Sequence, residues 1–143
     1  MEIRRAQRDD ALPIAGLMDE LGYRVTDESI RQKLLAISDS VDDVVLVAVV
    51  DQRVVGCISL HAFLMLHVEG RLGRITSFVV TSQVRSQGVG AALLEAAHGW
   101  FESVGCTKFE LTSGDQRTRA HQFYESHGYR RGGQRLSRDA DHG

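Results

Sequence analysis

The sequence is short of several residue types whose abundance would decide its class. It holds one proline, one tryptophan and two cysteines. Cys57 and Cys106 stand alone, with no C-x-x-C pair and no histidine at metal-ligand spacing. Two buried, reduced thiols are therefore expected, with a disulfide between them as the minor alternative, and no metal site. No apolar run approaches the roughly 20 residues that span a bilayer, and the opening "MEIRRAQRDD" has no apolar leader region. A cytoplasmic location without a membrane partner is the corresponding expectation. Charge of one sign is also lacking: the net charge is −2, so no basic field draws the chain to nucleic acid or to a lipid surface. Lysine is nearly absent, with Lys33 and Lys108 set against arginines scattered along the chain, a pattern of genomic composition. Repeats, low-complexity tracts and linkers are missing as well.

What remains is an ordinary globular composition, 43% apolar and 25% charged over 143 residues, enough for a single domain with a real core. "EIRRAQ" alternates as a short first strand. Asp9 and Asp10 are cap candidates for a helix with Pro13 in its first turn and Leu12, Ala15, Leu17, Met18 and Leu21 along one stripe, stopped by Gly22. Thr26 and Glu28 open a second helix lined by Ile30, Leu34, Leu35 and Ile37. "DVVLVAVV", "DQ" and "RVVGCISLHAFLML" read as a hairpin with a very short turn at Asp51 and Gln52. "RITSFVVT" is the next strand, and a helix then runs from Gly88 to about Val104, ended by Gly105. "TKFELTS" is a strand, "RTRAHQFYESHG" a helix stopped by Gly128, and "YRRGGQRLSR" a final short strand or hairpin before a frayed tail over 138–143. The order is β-α-α-β-β-β-α-β-α-β, an α+β class.

The chemistry concentrates at "VRSQGVGAALLEAA", residues 84–97, directly after a strand. A helix mouth carries roughly half a positive charge and several unbonded N–H groups, so it favours a phosphate. Gly88 and Gly90 would let a ligand approach the backbone closely, and Arg85 could bond phosphate oxygens in a bidentate way. The same glycines could merely turn the chain. A Rossmann fingerprint needs a third small residue where Leu93 stands, and a Walker A loop needs a lysine that is not there.

The stretch Arg85-x-x-Gly88-x-Gly90 resembles the acetyl-CoA-binding motif of the GNAT superfamily of N-acetyltransferases, Gln/Arg-x-x-Gly-x-Gly/Ala, between a strand and a helix. A second segment, "RTRAHQFYESHGY", is similar to the family's later motif, with Ala120, Phe123, Tyr124, Glu125, Gly128 and Tyr129 in register. The resemblance implies a GNAT-type fold with a mixed sheet of six to seven strands and about four helices. It implies acetyl transfer from acetyl-CoA to a primary amine, by direct attack in a ternary complex. It places the pantetheine arm on Phe78, Val79 and Val80, and the pyrophosphate on Arg85, Ser86, Gln87, Gly88, Val89, Gly90 and Ala91. A strand N–H, that of Val80, would polarise the thioester carbonyl.

Tyr124 falls where the family's tyrosine protonates the departing thiolate, although from the helix alone it reads as a packed aromatic. Arg117 replaces an asparagine that often bonds the cofactor. Arg74 stands where many members carry the glutamate that deprotonates the amine, leaving Glu110, His61 and His67 as general-base candidates. The resemblance also puts Leu21, Tyr23 and Val25 beside the acceptor; "ELGYRVT" reads equally as a helix–helix packing corner. The missing glutamate keeps a second reading open, a non-catalytic acyl-CoA-sensing module of the same fold. A homodimer is expected through the late edge "YRRGGQRLSR".

Overall fold

In a computed structural model, residues 1–84, 87–112, 118–133 and 135–141 are described. The strands are β1 (Glu2–Arg5), β2 (Asp43–Val50), β3 (Arg53–Phe63), β4 (Arg71–Val80) and β5 (Cys106–Leu111). The helices are α1 (Ala11–Leu21), α2 (Asp27–Ile37), α3 (Val89–Ser103) and α4 (Thr118–Ser126). The sheet follows chain order, β1-β2-β3-β4-β5. Its first four strands are antiparallel, and β5 runs parallel to β4 because α3 carries the chain back across the sheet.

Local chemistry sets the turns and helix ends. Asp51 and Gln52 both adopt positive φ, 49° and 65°, the geometry that lets a two-residue hairpin follow the strand twist. The Thr26 hydroxyl accepts a 3.0 Å hydrogen bond from the Ser29 N–H and caps α2. Gly22, at φ 105°, closes α1 in a left-handed conformation that a side chain would strain.

Period-2 alternation in the strands and period-3.6 stripes in the helices make two cores, one on each sheet face. On one face Leu93, Ala97 and Phe101, at successive i+4 spacings on α3, are fully buried against Val44, Ala48, Ile58 and Leu60. On the other, Ile14, Leu17 and Met18 of α1 pack on Val47, Cys57 and Val79. Both cysteines are free and buried, and burial pushes the Cys57 thiol up to about 12, which leaves it inert. Gly73 lies directly under Phe101, where an added Cβ would come within 2.4 Å of the ring.

Two bulges shape the middle of the sheet. Ala48 pairs Gly56 but Val49 pairs Val54, which makes Val55 an extra residue. Ser59 pairs Ser77 but Leu60 pairs Ile75, which makes Thr76 another. The second bulge bends β4 where its partners change. β5 pairs it only from Arg71 to Ile75, whereas β3 stays with it to Val80.

The expected sheet of six to seven strands is corrected to five strands among the described residues. Among the described residues no strand follows α4. That stretch carries Gly132 and Gly133, several arginines and an exposed Leu136, so it has no apolar face to bury against the sheet. The edge on which the homodimer expectation rested is therefore not formed there.

Candidate functional site

Gly88 caps α3 at φ 80°, a conformation that glycine alone adopts without strain, and no side chain caps that end. The first helical bond runs from the Ala92 N–H to the Gly88 carbonyl at 3.1 Å, so the N–H groups of Val89, Gly90 and Ala91 point out of the helix mouth. Val89 turns its side chain into the core and can meet a ligand only through its backbone. Gln87 and Gly88 are exposed. Arg85, Ser86 and Arg117 lie outside the described residues.

A second wall rises from β4. Thr81 donates its N–H to the Val55 carbonyl at 2.8 Å, and alternation along the strand turns the N–H and C=O of Phe78 and Val80 away from β3. That is the side on which β5 has already left the sheet. α4 leans across this cleft with aromatic side chains. The Phe78 ring lies 6.2 Å from both Phe123 and Tyr124, and Tyr124 lies 6.0 Å from Tyr129. The Tyr129 hydroxyl meets His98 Nε2 at 2.7 Å, and His98 stacks on Phe109, which pins the end of α4 to α3. Burial, with the Tyr124 phenol adding to it, pushes the Tyr129 phenol up to about 12. A Cβ at Gly90 would sit 3.6 Å from Phe123 and 3.8 Å from Phe78 and Val80. The structure thus brings Phe78, Val80, Gly90 and Tyr124 to one cleft, with Val79 holding the strand to the α1 core from behind.

A polar row crosses the opposite end of the sheet. Asp43, His61, Arg74 and Glu110 are successive register partners on β2, β3, β4 and β5. His61 Nδ1 lies 2.7 Å from Asp43 Oδ1, a contact that fixes the ring and its tautomer. Arg74 holds Glu110 through Nε at 2.6 Å and through its terminal nitrogen, and lies over the Phe63 ring at 5.0 Å. His67 is exposed in the loop between β3 and β4 and has no register partner in the row. Leu21 and Val25 are half-buried against the α1–α2 core, while Tyr23 between them is 63% exposed. That segment is both a packing corner and an open wall.

Two residues of this region were not legible in the sequence. Asp43 faces His61 only because the Val55 bulge shifts the β2–β3 register by one residue; an unbroken hairpin would set Asp43 opposite Leu60. Glu20 accepts bonds from Thr81 and Ser82, more than sixty positions away in sequence.

The acetyltransferase (GNAT) family profile matches residues 14–129, and the chain belongs to that family. It is 37% identical over 78 residues to an aminoalkylphosphonate N-acetyltransferase of Salmonella typhimurium, a match covering 54% of this chain. The chain spans about half, 51%, of the length of that curated relative. Among solved structures it is similar to a transcriptional regulator from Bacillus halodurans, with 22% identity, a TM-score of 0.87, and 96% and 98% of the two chains covered. A glucosamine-6-phosphate N-acetyltransferase from Arabidopsis thaliana has 24% identity, a TM-score of 0.83 and 98% of each chain covered. These two likenesses concern the fold. Among the described residues no helix is long and apolar enough to cross a membrane.

Proposed function

We propose that the chain transfers an acetyl group from acetyl-CoA to a primary amine of a small molecule or an exposed amino group, by direct attack in a ternary complex. The observation that carries this reading is the parting of β5 from β4 after Ile75, beside the glycine-capped mouth of α3. The pantetheine arm extends along the β4 edge at Phe78, Val79 and Val80, as an added strand would. The pyrophosphate takes the N–H groups around Gln87, Gly88, Val89, Gly90 and Ala91, with Arg85, Ser86 and Arg117 as further contacts.

In this reading the amine nitrogen attacks the thioester carbonyl carbon while the Val80 N–H steadies the oxyanion. The C–S bond then breaks, and the Tyr124 hydroxyl gives its proton to the departing sulfur. Among the candidates for taking the amine proton, Glu110 is held by Arg74 and His67 is in an exposed loop. His61 is the best supported, because Asp43 orients it and leaves Nε2 to accept a proton. Three rungs, roughly 10 Å, separate its register position from that of Phe78, so a water must carry the proton between them. Leu21, Tyr23 and Val25 form one acceptor wall.

The curated relative's name favours an acceptor that carries an amine beside an anionic group, so aminoalkylphosphonates belong first in the amine panel. The test is release of free CoA thiol from acetyl-CoA across that panel, with the acetylated product identified by mass. Turnover on an amine is the expected result, and tight acetyl-CoA binding without turnover would favour the sensing reading. A homodimer remains part of the same proposal, through a surface other than a strand after α4, and a monomer in sedimentation at tens of micromolar would reject it.

A further inference from the structure

Glu20 lies in the last turn of α1, yet its carboxylate is spent on the segment that leads into the α3 mouth. The Thr81 hydroxyl donates to Oε2 at 2.8 Å, and the Ser82 N–H donates to Oε1 at 3.0 Å. Thr81 is buried, and its own N–H is fixed to Val55 on the other side. Ser82–Val84 form a single 3-10 turn, whose first N–H would otherwise lack a partner within the turn. Glu20 therefore supplies the cap from a different element. Two residues later Gly22 caps α1, and the chain becomes the wall carrying Tyr23, whose N–H returns to the Met18 carbonyl at 2.9 Å.

We propose that Glu20 is a positioning residue: its carboxylate sets Thr81 and the Ser82–Val84 turn, which lead toward the mouth of α3, and ties them to the root of the acceptor wall. The proposal rests on the reading of that mouth as the acetyl-CoA phosphate site. The sign of its effect separates position from charge. A carboxylate near a bound pyrophosphate is repulsive, so if charge alone mattered its removal would tighten binding. A carboxylate that shapes the loop does the opposite, since its loss leaves Thr81 and Ser82 donors without their acceptor.

Glu20→Ala and Glu20→Gln test this by calorimetry with acetyl-CoA, steady-state kinetics and amide hydrogen exchange on the ligand-free protein. Glu20→Ala is expected to weaken acetyl-CoA binding about tenfold, with kcat at saturation within about twofold of the parent. Exchange at Ser82–Val84 should rise in the same variant about tenfold, with no general loss of protection. Glu20→Gln keeps one acceptor oxygen and loses the charge, and should stay within about threefold of the parent. The inference is overturned if Glu20→Ala binds acetyl-CoA as tightly as the parent or more tightly, or if Ser82–Val84 exchange is unchanged. If the parent itself binds no acetyl-CoA while the exchange responds, the loop-setting role stands and the donor assignment falls.

Discussion

Replacing Gly90 by alanine should make the protein more stable and a poorer binder of acetyl-CoA at the same time. The added methyl meets Phe123 at 3.6 Å and Phe78 and Val80 at 3.8 Å, all ordinary van der Waals distances, so the folded chain accommodates it without a shift. Gly90 is in the first turn of α3 with an ordinary helical φ, and exchanging glycine for alanine there contributes about 0.5 kcal/mol. For a chain of this size that raises the Tm by roughly 2 °C. The methyl nevertheless stands between β4 and α4, in the space assigned to the donor arm. Any displacement of the arm appears directly in the ligand-dependent part of the Tm. A ligand at about 100 times its Kd stabilises by about 2.7 kcal/mol, and a tenfold loss of affinity removes about 1.4 kcal/mol of that. Thermal melts with and without acetyl-CoA therefore give two shifts of opposite sign. Gly90→Val should remove the acetyl-CoA shift altogether. If Gly90→Ala keeps the full shift, the donor does not pass along this wall.

Tyr124→Phe keeps the rings around Phe78, and should lower turnover by about 100-fold while acetyl-CoA affinity stays within a few-fold; normal turnover at saturation would make Tyr124 a packing residue. The defect should shrink with a thioester whose thiol is more acidic. Gly73→Ala drives a methyl into Phe101, which is fully buried, so it should cost about 2 kcal/mol and lower the Tm by roughly 5 °C or more in a thermal melt. Burial raises the Asp10 carboxyl, but the Arg4 guanidinium and the Gln7 N–H outweigh it and hold the folded value below the ordinary one of 3.8. The stability this contributes is present above that pH and lost as pH falls through the folded value. Asp10→Asn should thus be less stable than the parent at neutral pH, by a margin that shrinks as the pH is taken progressively below 3.8, read by denaturant titration across that range.

Much of the fold is legible because single residues impose it. Gly22, Gly105 and Gly128 sit at helix ends with positive φ, the Asp51–Gln52 turn is the tight one that its flanking runs require, and α3 carries an unbroken apolar stripe. The mouth of α3 is legible for the same reason, since Gly88 caps the helix locally at a positive φ. The bulges at Val55 and Thr76 leave no mark in composition, yet they decide which residues share a sheet face. The Asp43–His61 pair follows from the first of them, and Glu20 reaches Thr81 only once α1 has docked on β3 and β4. The final strand or hairpin read at "YRRGGQRLSR" is not formed among the described residues. Its glycines and charges leave nothing to bury, and burial decides whether a strand joins a sheet.

The most direct test of the account is release of CoA thiol from acetyl-CoA by the purified protein, followed in the presence of a primary-amine panel and with Tyr124→Phe run in parallel. The account predicts amine-dependent thiol release with a matching acetylated amine, at a rate that falls by about 100-fold in the variant. Acetyl-CoA left intact with every amine, or consumed equally by both proteins, would contradict it.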